Sequence, residues 1–426
     1  MAPMREQTAW REAAPGVRAL AWEVGAWALS PDGEWLACAD GLTDAGGQAL
    51  LRCVEVATGR VVFEKPGAAV RGLGWASNEA LLAIREHNRG DGRALLHAVP
   101  DGGLMGHAPV AHVPGRVRVE PCAGAALALV CSLRMTGSVR GEAPRRLVHV
   151  LRTDPLESAL AYDPDDTAAL PRTPRVRDCA AGLSPDGRRL AVALDDKLLL
   201  RDLGGARDEL VCDVGGWFGA LTWVDPDTLL AHPTDVDGVT APAQVELVSL
   251  SRRARLFTSV GEEPPLGWVG PRASMDLSPD RGHVLVAGAA VTPASPVTPA
   301  SSRALLRVLD ARSGAASALR ESATLAELAH GAAWLPDGSI ALLRARKKKG
   351  PAEVVRLADV SAEAGKARAE IALEGKDVMG ARLARSGCGR YLVASWRSAP
   401  AGRKRSEYGA LTVTRLALVE TSVLVG

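Results

Sequence analysis

Phenylalanine and tyrosine occur only three times each in 426 residues, and aromatics make up 4% of the chain. The basic loops described below therefore lack the aromatic platforms on which single-stranded nucleic acid stacks. Charge of one sign is also lacking. A net charge of +2 excludes a general attraction to nucleic acid or to anionic membrane, and any basic surface has to be local. The opening MAPMREQTAWREAAPG carries two early charges and no apolar core, so it does not read as a secretory signal. The longest apolar stretch, Ala123 to Leu133, is far short of the roughly 20 residues a membrane helix needs. A cytoplasmic, membrane-free protein is the expectation. The seven cysteines (38, 53, 122, 131, 179, 212 and 388) are odd in number and contain no CxxC pair. Buried thiols in a reducing compartment are expected, rather than disulfides or zinc.

Catalytic signatures are absent as well. No GxSxG, HExxH, Walker A or GxGxxG pattern occurs, and the eight histidines are dispersed. Asp235-x-Asp237-Gly238 echoes part of a calcium loop, but Pro233 and Gln244 stand where its first and last carboxylates belong, so it reads as an ordinary acidic turn. Asp163, Asp165 and Asp166 form another acidic turn with no base or nucleophile beside it. No cofactor and no metal is expected. Whether the chain is an enzyme stays open, with the balance toward a non-catalytic protein.

What is present is a repeat. Leu29-Ser30-Pro31-Asp32-Gly33 returns as Leu183 to Gly187, with looser copies at Leu277 to Arg281 and Leu335 to Gly338. Each copy sits between apolar runs. Proline presets φ at the first central position, aspartate bonds the following backbone, and glycine accepts the positive φ that ends the turn. Eight units align at a spacing of roughly 50 residues, the propeller range. Unit four is the clearest, with CAAGLS, a PDG turn, RRLAVAL, a hairpin at Asp195-Asp196, KLLLRDLGG and ELVCDV. Four short antiparallel strands per unit predict a single all-β propeller of four-stranded blades, with eight blades favoured and seven as the alternative. Residues 26–426 form the propeller. In the segment 1–25, the run Val17 to Val24 is a candidate outer strand that completes the last blade, whose own runs are VMGARLA, RYLVASW, ALTVTRLALV and TSVLVG. Arginine outnumbers lysine 43 to 8, which with abundant alanine and glycine points to a GC-rich bacterial genome.

The SPDG turns, with endings such as Leu309-Asp310-Ala311-Arg312-Ser313-Gly314 and Val56-Ala57-Thr58-Gly59, resemble WD40-type repeats, nearer the bacterial WD40-like and TolB-like variety. The likeness spans nearly the whole chain from about Ala26. Neither the Trp-Asp pair that ends strand c of standard WD40 repeats nor their upstream Gly-His is present; Ala329-His330 is the nearest echo. The resemblance therefore implies the fold and a scaffold role, without the Asp-His-Ser-Trp network.

Turns between strands a and b stay short, whereas the b–c connections at Ala39–Gln48, Glu86–Arg93, Arg134–Arg146, His232–Ala243, Ala289–Arg303, Arg344–Pro351 and Arg397–Tyr408 are long. Variation concentrated at one face of a repeat array marks a binding face. Its candidate contacts are Arg134, Arg140, Arg145 and Arg146 in unit three, Arg344, Arg346, Lys347, Lys348 and Lys349 in unit seven, and Arg397, Arg403, Lys404 and Arg405 in unit eight. Asp40, Asp44, Asp235 and Asp237 make units one and five acidic there. Such an arc would orient a protein partner with an acidic surface. Nucleic acid is disfavoured, and a monomer is the default. The segment 292–302, TPASPVTPASS, reads as an extended linker. Trp27, Trp75, Trp223 and Trp334 share one place in strand a, which points to packing between blades; Trp10, Trp217 and Trp268 fall outside that register and are candidates for a contact surface. The alternative function is a propeller enzyme or small-ligand binder with a site in the central channel.

Overall fold

The computed structural model describes residues 9–40, 49–88, 91–111, 117–122, 125–134, 145–162, 179–194, 196–205, 207–214, 220–232, 245–258, 274–292, 301–322, 331–345, 352–358, 369–372, 379–398 and 413–425. Eight antiparallel sheets follow one another along the chain as the blades of a β-propeller. Strands a to d of blade one are Ala26–Leu29, Trp35–Ala39, Ala49–Glu55 and Val61–Gly67, and those of blade two are Val70–Ser77, Ala80–Asn88, Asp91–Ala98 and Leu104–Val110. Blade three has Arg118–Cys122, Leu127–Arg134, Arg145–Thr153 and Leu156–Tyr162; blade four has Cys179–Leu183, Arg189–Leu194, Lys197–Asp202 and Asp208–Asp213. Blade five has Ala220–Trp223, Thr228–His232, Glu246–Ser249 and Ala254–Thr258. Blade six has Ser274–Leu277, His283–Thr292, Ser301–Asp310 and Ala316–Ser322, and blade seven has Ala332–Trp334, Ile340–Ala345, Ala352–Leu357 and Ala369–Ile371.

Blade eight takes strands a to c from Met379–Arg385, Tyr391–Ser398 and Val413–Glu420, and its outer strand from the other end of the chain. Val17–Leu20 pairs with Val413–Glu420, placing Val17 opposite Val419, and Trp10–Ala14 adds a fifth strand outside it. TSVLVG is not the outer strand. With the sheet edge already occupied, Ser422–Val425 winds into a single helical turn and buries Leu424. Trp10 is likewise no surface residue, since its strand packs it to 8% exposure.

Packing divides the chain into two compact units. One contains Gly25–Val239 and Gln244–Arg255, and the other Met1–Val24, Thr240–Ala243 and Leu256–Gly426. In each, the core lies between the faces of successive blades. In the first unit, Ala191, Ala193 and Leu198 of blade four meet Leu221, Trp223, Leu229 and Val248 of blade five. In the second, Leu285, Ala287, Leu306 and Val308 of blade six meet Trp334, Ile340, Leu342 and Val355 of blade seven. The middle strands are buried on both faces, so they read as continuous apolar runs such as LAVAL instead of alternating.

In blades one, four and six the repeated turn closes the a–b end with the same bonds. Ser30, Ser184 and Ser278 donate their hydroxyls to Asp32, Asp186 and Asp280 at 2.6, 2.6 and 2.5 Å. The same serine oxygens accept the N–H groups of Trp35, Arg189 and His283 at 2.9 Å each. Gly33 and Gly187 take φ of 74° and 68°, as the turn requires, and Arg281 is held at 58° where a glycine would be unstrained.

Strand a is also where neighbouring blades come closest. A methyl group on Gly182 would lie 2.3 Å from the Leu221 carbonyl oxygen, so only glycine allows that approach. The register tryptophans lock the same seams. Trp75 Nε1 donates to Ala28 O at 3.0 Å, and Trp223 Nε1 to Gly182 O at 3.1 Å.

Candidate functional site

The b–c connections differ from their sequence reading, because the ladders run further than expected. Blade two pairs as far as Asn88 with Asp91, so Glu86–Arg93 is mostly strand. In blade six, Ala289–Thr292 pairs with Ser301–Ala304, which puts both ends of the Pro-Ala-Ser segment into the sheet and leaves 293–300 outside the described residues. Polar and small side chains hid these rungs, since backbone hydrogen bonds alone extend them.

The result is a set of projecting hairpins. In blade six the described part of the inner strand pairs as far as Ser274 with Ala287, while the b–c ladder continues for Gly288 to Thr292, five rungs or about 17 Å at 3.3 Å per residue. Ladders continue beyond the described inner strand for three residues in blade three (Ser132 to Arg134) and two in blade seven (Arg344 and Ala345), where Leu343 still donates its N–H to Gly331 O at 3.0 Å. Blade four, whose strands b and c pair as far as Leu194 and Lys197, ends level with its inner strand.

On these hairpins the candidate arginines fall as follows. Arg134 stands directly opposite Arg145, and Arg146 opposite Leu133, so three of the four blade-three candidates share one hairpin end. Arg344 lies opposite Glu353, and Arg397 opposite Thr414. Arg140, Arg346, Lys347, Lys348, Lys349, Arg403, Lys404, Arg405, Trp217 and Trp268 lie outside the described residues, as do Asp44, Asp163, Asp165, Asp166, Asp235 and Asp237. Asp40 is not free acidity. It accepts the Leu50 N–H at 3.0 Å and pairs with the Arg52 guanidinium, which also holds Glu64 at 2.8 Å.

Charged groups also stand on the inner strands, and the sequence reading missed them. In the first unit, Arg118 Nε lies 3.1 Å from Glu120 on the same strand, and its guanidinium donates to the Ala181 carbonyl of blade four. Glu120 is set deep among the inner strands yet 39% exposed, and burial pushes its carboxyl above the usual range against the pull of Arg118. In the second unit, Asp276 of blade six accepts the Trp334 N–H of blade seven at 2.8 Å, with Arg385 Nε of blade eight at 3.9 Å. Arg385 also donates to Leu277 O at 3.1 Å. Burial raises the Asp276 carboxyl to about 6, although the Trp334 N–H and Arg385 pull the other way. Asp276 occupies the place, two residues before the turn serine, that Ala28 and Gly182 hold in blades one and four. Among the described residues, no acceptor reaches Trp334 Nε1, which in those seams would meet a carbonyl.

The thiols divide more widely than expected. Cys38 and Cys53 are buried and Cys122, Cys131 and Cys212 half-buried, but Cys388 is exposed, in the turn position taken elsewhere by Asp32, Asp186 and Asp280. Partial burial raises the Cys388 thiol, but the Ser386 hydroxyl at 3.3 Å and the N–H and guanidinium of Arg390 outweigh it and hold the thiol below its ordinary value. Among the described residues no group of His, Cys, Asp or Glu has the spacing of a metal site, and no helix is long and apolar enough to cross a membrane.

No protein-family model matches the chain, and no curated protein matches it. Solved structures do. A eukaryotic initiation factor aligns at a TM-score of 0.50 with 13% identity, over 84% of each chain. A hydrazine synthase from Kuenenia stuttgartiensis aligns at 0.45 and 13%, over 97% of each chain. A prolyl endopeptidase aligns at 0.43 and 19%, over 80% of this chain and 46% of that one. At such identities the likeness shows the β-propeller fold alone.

Proposed function

We propose that this protein is a non-catalytic, WD40-like interaction scaffold that docks a protein partner, one with an acidic surface, on the ends of its b–c hairpins. The projecting ladders carry this reading. Paired strands that continue past the described end of the inner strand offer their ends to a partner, and a rigid ladder is a suitable base for variable loops. Arg134 and Arg145 stand opposite in register, so an acidic partner would meet two basic positions at one hairpin end.

The test is affinity capture from native-host lysate with the wild type and two charge reversals, one at Arg134, Arg145 and Arg146 and one at Arg346 to Lys349 with Arg403 to Arg405. Proteins retained by the wild type are expected to be lost from at least one reversal and regained at low salt. Undiminished capture by both variants would sink the proposal.

A second reading, a small-ligand binder or enzyme acting at the inner strands, draws support from Glu120, a solvent-reached carboxyl deep in the fold beside Arg118. Glu120→Gln separates the two readings. It leaves partner capture unchanged in the first and abolishes ligand-dependent thermal stabilisation in the second.

A further inference from the structure

The a–b end carries a recess of its own. Between blades three and four the a–b and c–d turns leave an open groove of ≈ 590 Å³, within the size range of ligand sites. Blade three makes room for it by departing from the repeat. Its Ala126, at the place of Glu34, Arg188 and Gly282 in blades one, four and six, is held at φ 49°, a conformation unfavourable to a non-glycine residue. Strained backbone of this kind gathers at binding sites. The turn of blade four is seated against it, since a methyl on Gly187 would lie 2.3 Å from the Ala125 Cβ.

The half-buried Leu127, Leu160 and Leu203 give the groove an apolar floor, and the exposed Asp154, Asp186 and Asp202 stand around it. Asp186 is held ionised by the Ser184 hydroxyl and the Arg188 N–H. Two arginines also line the groove, but Arg152 is already paired with Glu157 at 2.5 Å, which leaves Arg188 against three carboxylates. The balance is acidic around an apolar floor.

We infer that this groove docks a short basic segment of a partner protein, an extended peptide with one aliphatic side chain on the leucine floor and a lysine or arginine on either side facing Asp154, Asp186 and Asp202. The complementarity is both apolar and electrostatic, so binding should need the aliphatic residue and weaken with salt. The surface is independent of the b–c hairpins, because in a four-stranded meander the a–b and c–d turns lie at the end opposite the b–c connection.

Fluorescence anisotropy on the full chain tests it, with fluorescein-labelled Ala-Lys-Leu-Lys-Ala as probe and Ala-Glu-Leu-Glu-Ala and Ala-Lys-Ser-Lys-Ala as controls. Only the first peptide is expected to saturate the protein. Asp154→Lys, which reverses a rim charge, and Ala159→Trp, which fills the groove from an exposed position, should each weaken it about tenfold with an unchanged melting temperature. Should Asp154→Lys fail to fold, Ala159→Trp decides. No saturable binding by the folded wild type, equal binding of a control peptide, or an undiminished affinity in folded Ala159→Trp overturns the inference.

Discussion

Asp276→Asn should stabilise the protein at neutral pH and not at acid pH. The wild-type carboxyl titrates at about 6 in the fold, against about 3.8 for an ordinary aspartate, because burial among the inner strands opposes its ionisation. A folded value raised above the unfolded one means that the favourable contribution of the protonated acid is fully present below about pH 3.8. It is lost as pH rises through 6. Two pH units at 1.36 kcal/mol each set the loss at about 3 kcal/mol by pH 7.5. Asparagine keeps an oxygen for the Trp334 N–H, whose bond to Asp276 is 2.8 Å, and carries no charge to bury. Urea unfolding followed by tryptophan fluorescence, at half-unit steps from pH 4 to 8, reads the effect. The gap between variant and wild type should be about 0.5 kcal/mol at pH 4, reach half its final size near pH 5, midway between the unfolded and folded values, and level off at about 3 kcal/mol in favour of asparagine by pH 7.5. A gap that stays constant with pH, or that favours aspartate at pH 7.5, would refute the reasoning, since Arg385 at 3.9 Å would then offset the whole cost of burial.

Trp223→Phe removes the donor to Gly182 O and shrinks the ring under Arg189, whose guanidinium lies 4.9 Å from the ring centroid, and should cost about 1–3 kcal/mol in thermal unfolding. Trp334→Phe should cost measurably less, because no acceptor among the described residues reaches its Nε1. Gly182→Ala drives a methyl into the Leu221 carbonyl and should destabilise by about 1–3 kcal/mol, visible as a lowered urea midpoint. Cys388 should be the first thiol alkylated by iodoacetamide at pH 7.5, ahead of Cys53 and Cys212, whose thiols burial pushes up to about 12 and about 11. Peptide mass spectrometry against time gives the order.

The blades were legible because their defining bonds are local. Ser30, Asp32 and Gly33 close a turn within six residues, and any copy of that pattern announces another hairpin. The last blade was harder to read, since TSVLVG has the composition of a strand. Only the long-range pairing of Val17–Leu20 with Val413–Glu420 shows that no edge is left for it. The b–c ladders were underestimated for a related reason. Rungs such as Thr292 opposite Ser301 rest on backbone bonds that polar side chains do not advertise. The tryptophan seams were readable from position alone, whereas the partners of Asp276 come from two other blades, 58 and more than 100 residues away.

A repeat fold supplies its own controls, because the same backbone position is filled eight times under nearly the same constraints. Where several copies agree, folding alone accounts for the residue, as with the serine that caps the a–b turns of blades one, four, six and eight. Three departures from the repeat stand out. Asp276 replaces alanine or glycine at an inner seam and loses stability by ionising. Ala126 keeps a left-handed backbone without glycine. Cys388 replaces the turn aspartate with a thiol that sits in an anion-stabilising setting. Substitution to Asn, Gly and Asp respectively tests what each departure does to stability. For Asp276 the pH-dependent gap against asparagine measures that effect directly.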